Sequence, residues 1–217
     1  DGKEVRYNMS EASIPKLIEE LSHRVSTKRR SIAKKLRILK RKEAGPALLI
    51  ALKNEINDKR TWETQYQIIM ALSESGYTES LDFLLKLSEQ EFEATMIYIA
   101  IGDAISRLTY LKYGSIKRVI FLLNSKKNTP FLIDGLIRAI AILRLVPPEE
   151  EIEQIVSYGN SLYASDNSRA WIASAAAGWK GKKVEEFLNQ CVLLGNPNTK
   201  KAAEAALNKK YLKWDIL

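Results

Sequence analysis

The sequence predicts an all-α protein, a solenoid of about five to six antiparallel helix pairs. Segments of about 30–38 residues each read as two amphipathic helices joined by a turn. Apolar positions of the second helices fall into register at Leu48, Leu81, Ile116, Ile152 and Val184, in steps of 33, 35, 36 and 32. No stretch alternates apolar and polar residues in the manner of a strand. Each pair is too short to bury its apolar stripe alone, so stacking the pairs is what creates a core.

The first helix opens near Ser10, a candidate N-cap, with Pro15 in its first turn and Ile14, Leu17, Ile18 and Leu21 on one face. A second helix is expected over 28–42, burying Ile32, Ala33, Leu36 and Leu39. Gly45-Pro46 ends it and starts the next, marked by Leu48, Leu49, Leu52 and Ile56. Asn57-Asp58 forms a turn before a helix bearing Trp62, Tyr66, Ile69 and Leu72, which Gly76 closes. Thr78 then caps a helix carrying Leu81, Leu84, Leu85 and Leu87. Two helices follow over 93–111 and 115–124, parted by Gly114. Thr129-Pro130 starts another that runs to Leu145, and the chain turns at Pro147-Pro148. The next pair runs from Ser168 to Trp179 and resumes after Gly181 with Val184, Phe187 and Leu188. A half pair from Asn198 to Tyr211 completes the array.

Composition agrees with an ordered helical chain: 46% of the residues are hydrophobic, with only ten Gly and six Pro. Residues 1–9 read as an N-terminal extension ordered only by contacts, and residues 10–217 as a single repeat domain. No apolar run reaches the roughly 18 residues of a membrane span. Asp1, Lys3, Glu4 and Arg6 leave no room for the apolar block of a signal peptide. A lone cysteine, Cys191, rules out an internal disulfide and fits a reducing, cytoplasmic setting.

The turns carry a motif. Asp166, Arg169, Ala173, Ala176 and Gly178 mark one copy, and Asn196, Lys200, Ala203, Ala206 and Leu207 another. Asp58, Ala71, Leu72 and Gly76 fit more loosely, with Trp62 in place of the basic residue. The pattern resembles the HEAT-repeat family over about residues 10–212, and that resemblance implies a right-handed α-solenoid. Such arrays serve unrelated partners, so it implies binding rather than any one activity. It also implies that the second helices line the concave face and turn Lys53, Lys86, Lys117, Arg118, Tyr158, Lys183 and Gln190 toward a ligand.

Catalytic groupings are scarce. His23 is the only histidine and reads as a surface or capping residue; Cys191 sits in an apolar run and reads as a buried, inert thiol. One histidine and one cysteine cannot build a structural zinc site, no glycine-rich phosphate loop is present, and no cofactor is expected. The acids Glu149, Glu150, Glu151 and Glu153 suit the first turn of a helix.

Charge is unevenly spread. Residues 1–60 carry 16 basic and 8 acidic side chains, residues 61–179 carry 10 and 14, and residues 180–217 carry 8 and 4. From Arg24 to Lys42 there are ten cations and no acid. On a helix, Arg30, Lys34, Arg37 and Arg41 form one row, and Lys28, Lys35 and Lys42 a second. The candidate partner-binding residues are Arg30, Lys34, Lys35, Arg37 and Arg41 from these rows, with Lys117, Arg118 and Lys183 from the face that the resemblance implies. An acidic protein is the expected partner of this non-enzymatic scaffold. One alternative is nucleic acid, held through the basic helix over 28–42. HEAT-like DNA glycosylases use a carboxylate and tryptophans in a basic groove; Asp103, Asp134 and the four tryptophans are of the right types, but none matches that family's motif, and core packing is the first expectation for Trp171 and Trp179. A toxin-neutralising, immunity-type role is another alternative.

Overall fold

A computed structural model describes residues 14–125 and 127–213. The expected Ser10 cap, the extension over 1–9 and Trp214 lie outside the described residues.

Among the described residues the chain forms twelve α-helices and no strand. These are α1 Ile14–Glu20, α2 Ser26–Leu39, α3 Gly45–Glu55, α4 Trp62–Glu74, α5 Leu81–Leu87 and α6 Thr95–Tyr113. They continue as α7 Lys117–Leu123, α8 Pro130–Ile142, α9 Glu149–Asn160, α10 Asp166–Ala175, α11 Lys182–Leu194 and α12 Pro197–Leu207. After α1, five pairs stack from α2/α3 to α10/α11, and α12 is the half pair. The fold is an α-solenoid.

Two layers result. The first helices of the pairs (α2, α4, α6, α8, α10 and α12) pack side by side along the whole array. The second helices touch one another less, mainly α7 against α9 and α9 against α11. Small residues explain the difference. Ala100, Ala104, Ala139, Ala173, Ala175, Ala202, Ala203 and Ala206 are all buried in the first layer. Helix axes approach more closely where the contact side chains are small. At α6–α8 the backbones themselves meet. A Cβ on Gly102 would collide with the Leu132 carbonyl oxygen, and one on Gly135 with the Ile99 carbonyl oxygen.

Buried apolar residues from Leu17 to Ala206 form one cluster. Leu48, Leu81, Ile116, Ile152 and Val184, the positions in register, all belong to it. Trp179 is buried, and its indole N–H donates to the Leu145 carbonyl at 2.8 Å. Trp171 packs half-buried against the cluster.

Capping fixes the joints between pairs. Thr129, Ser165 and Asn196 each accept a backbone N–H of the following first turn, at 3.2, 2.9 and 2.9 Å. Arg169 donates back to the Gly159 and Ser161 carbonyls, at 3.1 and 3.0 Å, closing the end of α9. Arg29 does the same for the turn before α2, donating to the His23 carbonyl at 2.7 Å. The basic residue of the Asp166 copy thus satisfies carbonyls left open at a helix end.

Some boundaries differ from expectation. The helix expected over 28–42 ends at Leu39, where Lys40 turns left-handed and its N–H returns to the Leu36 carbonyl. Arg41 is extended, and Lys42 begins a short 3-10 turn that leads into Gly45-Pro46. α10 begins at Asp166 rather than Ser168, because Ser165 provides the cap.

A Gly135→Ala variant should lose about 2 kcal/mol of stability or more by overpacking against the α6 backbone. Gly114→Ala serves as a contrast, since that glycine meets no neighbour and would report backbone strain alone. Urea unfolding of both variants measures the difference.

Candidate binding surface

The basic helix is largely neutralised, which corrects the expectation of uncompensated rows. Its counter-charges lie on the next pair. Arg37 Nε donates to Glu74 Oε1 at 2.7 Å, and Lys40 stands 3.5 Å from the same carboxylate. Arg30 pairs with Glu63, and Lys42 lies 3.1 Å from Glu79. Arg41, off the helix, reaches Glu43 at 3.6 Å. The Arg37–Glu74 pair is nearly buried and joins α2 to α4, so Arg37 acts in the interior rather than as a docking residue. Lys34 and Lys35 are the exposed members of the predicted set on this helix.

Glu55 anchors the start of α2. It is buried, accepts two bonds from the Arg29 guanidinium at 2.7 and 2.8 Å, and one from Ser26 at 3.2 Å. Burial alone would push its carboxyl up, but the opposing hydrogen bonds, led by Arg29, hold it below the usual carboxylate range.

On the second helices the predicted residues separate into three groups. Lys117 and Arg118 are exposed at the start of α7 and form no ion pair among the described residues. Lys183 is tied to Glu153 at 2.8 Å, and Lys53 sits over the Phe83 ring at 5.5 Å. Tyr158 is buried, contrary to expectation, in the wall between α7 and α9, where its hydroxyl donates to the Tyr163 carbonyl at 3.3 Å. Lys86 and Gln190 are exposed.

The looser second layer leaves troughs between successive pairs. One of about 860 Å³ lies between α5 and α7, walled by Leu85, Phe92 and Tyr98 on one side and Arg118, Phe121 and Leu122 on the other. Glu89 and Glu91 stand on its α5 side, and Lys127 closes the end near α7. Its neighbour, about 540 Å³, lies between α7 and α9 and carries no charged side chain among the described residues: Asn124, Gln154, Ser157, Pro130 and Tyr163 line it. Ser125 and Asn128 border both troughs. Large apolar side chains rim them. Phe121 on the first and Tyr163 on the second are each 74% exposed, and Leu162, next to Tyr163 in the chain, is 99% exposed. These residues were missed in the sequence. A signal existed at Phe121, since Val119, Ile120 and Leu123 already complete the buried stripe of α7.

The acids weighed for chemistry are committed to structure. Asp103 binds Arg107 and Arg138. Asp134 accepts the Ser165 and Ser168 hydroxyls at 2.8 and 2.5 Å, linking α8 to the start of α10. Glu151 is not a solvated helix-start charge like its neighbours. It is buried and accepts the Ser115 hydroxyl at 2.7 Å and the Ile116 N–H at 3.1 Å, capping the turn before α7. His23 accepts the Val25 N–H through Nδ1 at 3.0 Å. Burial pushes the Cys191 thiol up to about 11, so little thiolate forms at neutral pH. Among the described residues no cluster of metal-ligating side chains occurs, and no helix is long and apolar enough to cross a membrane.

No family model matches the sequence, and a search of curated proteins found no match. Among solved structures the chain is similar to human deoxyhypusine hydroxylase in complex with glycerol. The identity is 12% and the TM-score 0.39, over 92% of this chain and 85% of that one. It is also similar to a designed armadillo repeat protein, at 16% identity and a TM-score of 0.40, over 90% of this chain and 98% of that one.

Arg37→Ala should cost about 2 kcal/mol, because Glu74 loses a charge-assisted bond in a nearly buried place. Lys34→Glu should leave the melting midpoint within about 1 °C of wild type, as surface changes do. Thermal unfolding of both variants checks the contrast. Glu55, with its folded-state value lowered, should contribute stability above its unfolded value and lose it as pH falls through the folded value. Urea unfolding between about pH 6 and pH 3 should show that loss, and Glu55→Gln should flatten that part of the profile.

Proposed function

We propose that this protein is a binding scaffold whose second-helix layer holds an acidic, apolar-rich segment of another protein along the two troughs beside α7. The observation that carries this reading is the face of α7. Among the described residues Lys117 and Arg118 stand there without ion partners, beside an aromatic ring three-quarters exposed, in the part of the chain that is otherwise acidic. A monomer gains nothing from holding Phe121 and Tyr163 in water, and such rims mark contact sites. The trough beyond, lined among the described residues by amides, hydroxyls and apolar groups, suits a peptide backbone that needs donors and acceptors. Glu89 and Glu91 on the far wall repel an acidic segment, so its carboxylates lie against α7.

The nucleic-acid alternative rested on the α2 rows. Glu63, Glu74 and Glu79 answer much of that charge, which weakens any purely electrostatic grip on phosphates. A toxin-neutralising role remains one form of the same scaffold reading.

The test is fluorescence anisotropy with a labelled peptide in which Asp or Glu alternates with Leu or Phe. Binding in the micromolar range is expected, and a variant combining Arg118→Glu with Phe121→Ala should weaken it roughly tenfold or more. Equal binding by that variant, or stronger binding to random-sequence duplex DNA than to the peptide, would overturn the proposal.

A further inference from the structure

The first helices stack side by side in one direction, so their C-terminal ends lie along one edge of the array with the starts of the second helices. The troughs lie toward the other edge, where α7 and α9 end. From α6 onward the first edge is basic. Segments 111–116, 143–148, 176–181 and 208–213 hold Lys112, Arg144, Lys180, Lys209, Lys210 and Lys213 and no acid. All six are exposed, and none forms an ion pair among the described residues. Glu149 and Glu150, which open α9, are the exposed acids beside them; six cations against two acids leave an excess of four. Lys182 and Lys183 at the start of α11 take Glu186 and Glu153. In the first two pairs the same edge is balanced, since Lys40 and Lys42 meet Glu74 and Glu79. On the trough edge, segments 88–94, 124–129 and 161–165 carry three acids and two cations.

Helix dipoles do not account for this surplus. Ends of first helices and starts of second helices alternate along the edge, and their partial charges oppose one another. Backbone conformation does not account for it either. Glycines take the left-handed turn after α4 and α6, whereas Arg144 and Lys209 take it after α8 and α12, at φ of 53° and 55°. A side chain there costs strain that glycine avoids, so charge is retained where the backbone disfavours it. The chain after α12 is fastened to this edge. The Arg144 guanidinium sits 4.8 Å over the Tyr211 ring, the Tyr211 hydroxyl lies against Gly178, and Leu212 packs on the core. Three lysines are thereby held beside Arg144 and Lys180.

Bulky apolar tips stand among the cations. Leu111 is 61% exposed, Val146 56% and Tyr113 54%. We infer that this edge docks on an anionic lipid surface, with the cations at the headgroups and Leu111, Tyr113 and Val146 reaching the acyl boundary beneath. Interfacial binding needs this combination of apolar area and positive charge. Each cation close to a negatively charged leaflet is worth roughly fivefold in partitioning. Helix ends spaced roughly 8–10 Å apart spread the charges over a plane rather than around a cleft. A nucleic-acid backbone would take the lysines but offers no apolar phase for Leu111 and Val146. A second copy would bring the same cations against these and be repelled.

The experiment is co-sedimentation of the full chain with vesicles of phosphatidylcholine alone and of phosphatidylcholine with about one third phosphatidylserine, at about 0.1 M salt. Pelleting with the anionic vesicles only is expected, and its loss at about 1 M salt. Lys180→Glu combined with Lys210→Glu should weaken partitioning roughly tenfold or more. Leu111→Ser combined with Val146→Ser keeps every charge and should weaken it roughly fivefold, because apolar area no longer enters the interface. Lys34→Glu combined with Lys35→Glu makes the same change in net charge on α2, away from this edge, and should stay within about twofold of wild type. All these side chains are exposed, and a thermal melt of each variant checks its fold. Absence of pelleting with anionic vesicles, an equal loss in the α2 variant, or unchanged binding by the serine variant would overturn the inference. So would displacement from the vesicles by random-sequence duplex DNA at equal phosphate concentration, which would assign the edge to nucleic acid.

Discussion

Backbone contact between α6 and α8 governs this molecule. Two glycines facing carbonyls let the helices close to the limit set by main-chain atoms. Alanines continue that tightness toward α12. A stack whose first layer is compact keeps its second layer apart, since the two are joined by short turns. The wide spaces beside α7 are thus the counterpart of the glycines on the opposite side. One packing decision sets both the burial of Asp103 between its two arginines and the openness of the troughs.

Charge in this chain is organised across repeats rather than within helices. The run from Arg24 to Lys42 looks unbalanced because its acids come one pair later, near 30 to 40 residues downstream. The same offset links Asp103 to Arg138, Glu151 to Ser115 and Asp134 to Ser168. Each bond joins one repeat to the next. Pairing of this kind contributes to register more surely than to stability, because desolvation offsets much of the attraction.

The sequence revealed the fold through periodicity, a property that local spacing carries. Leu48, Leu81, Ile116, Ile152 and Val184 could be aligned by counting, and all five proved buried. Turn glycines at 76 and 114 were also legible, because their left-handed backbone disfavours other residues. The surface was harder to read. Whether Arg37 faces water depends on where Glu74 lies, and nothing within one helix states that. Tyr158 occupied a plausible outward position, yet it is buried and its hydroxyl turns to the Tyr163 carbonyl. Lys117 and Arg118 came from the resemblance to HEAT second helices, whereas Tyr163 and Leu162 lie in a turn where periodicity says nothing.

The glycine contact between α6 and α8 has a consequence for how the array comes apart. A solenoid repeat is held by its neighbours, so the pairs that are joined most closely open least. Amide hydrogen exchange should be slowest across α6 and α8, where two backbones touch and Asp103 holds two arginines. α7 follows α6 directly and is bonded to α9 through Glu151, so its exposed face persists while less tightly packed repeats open.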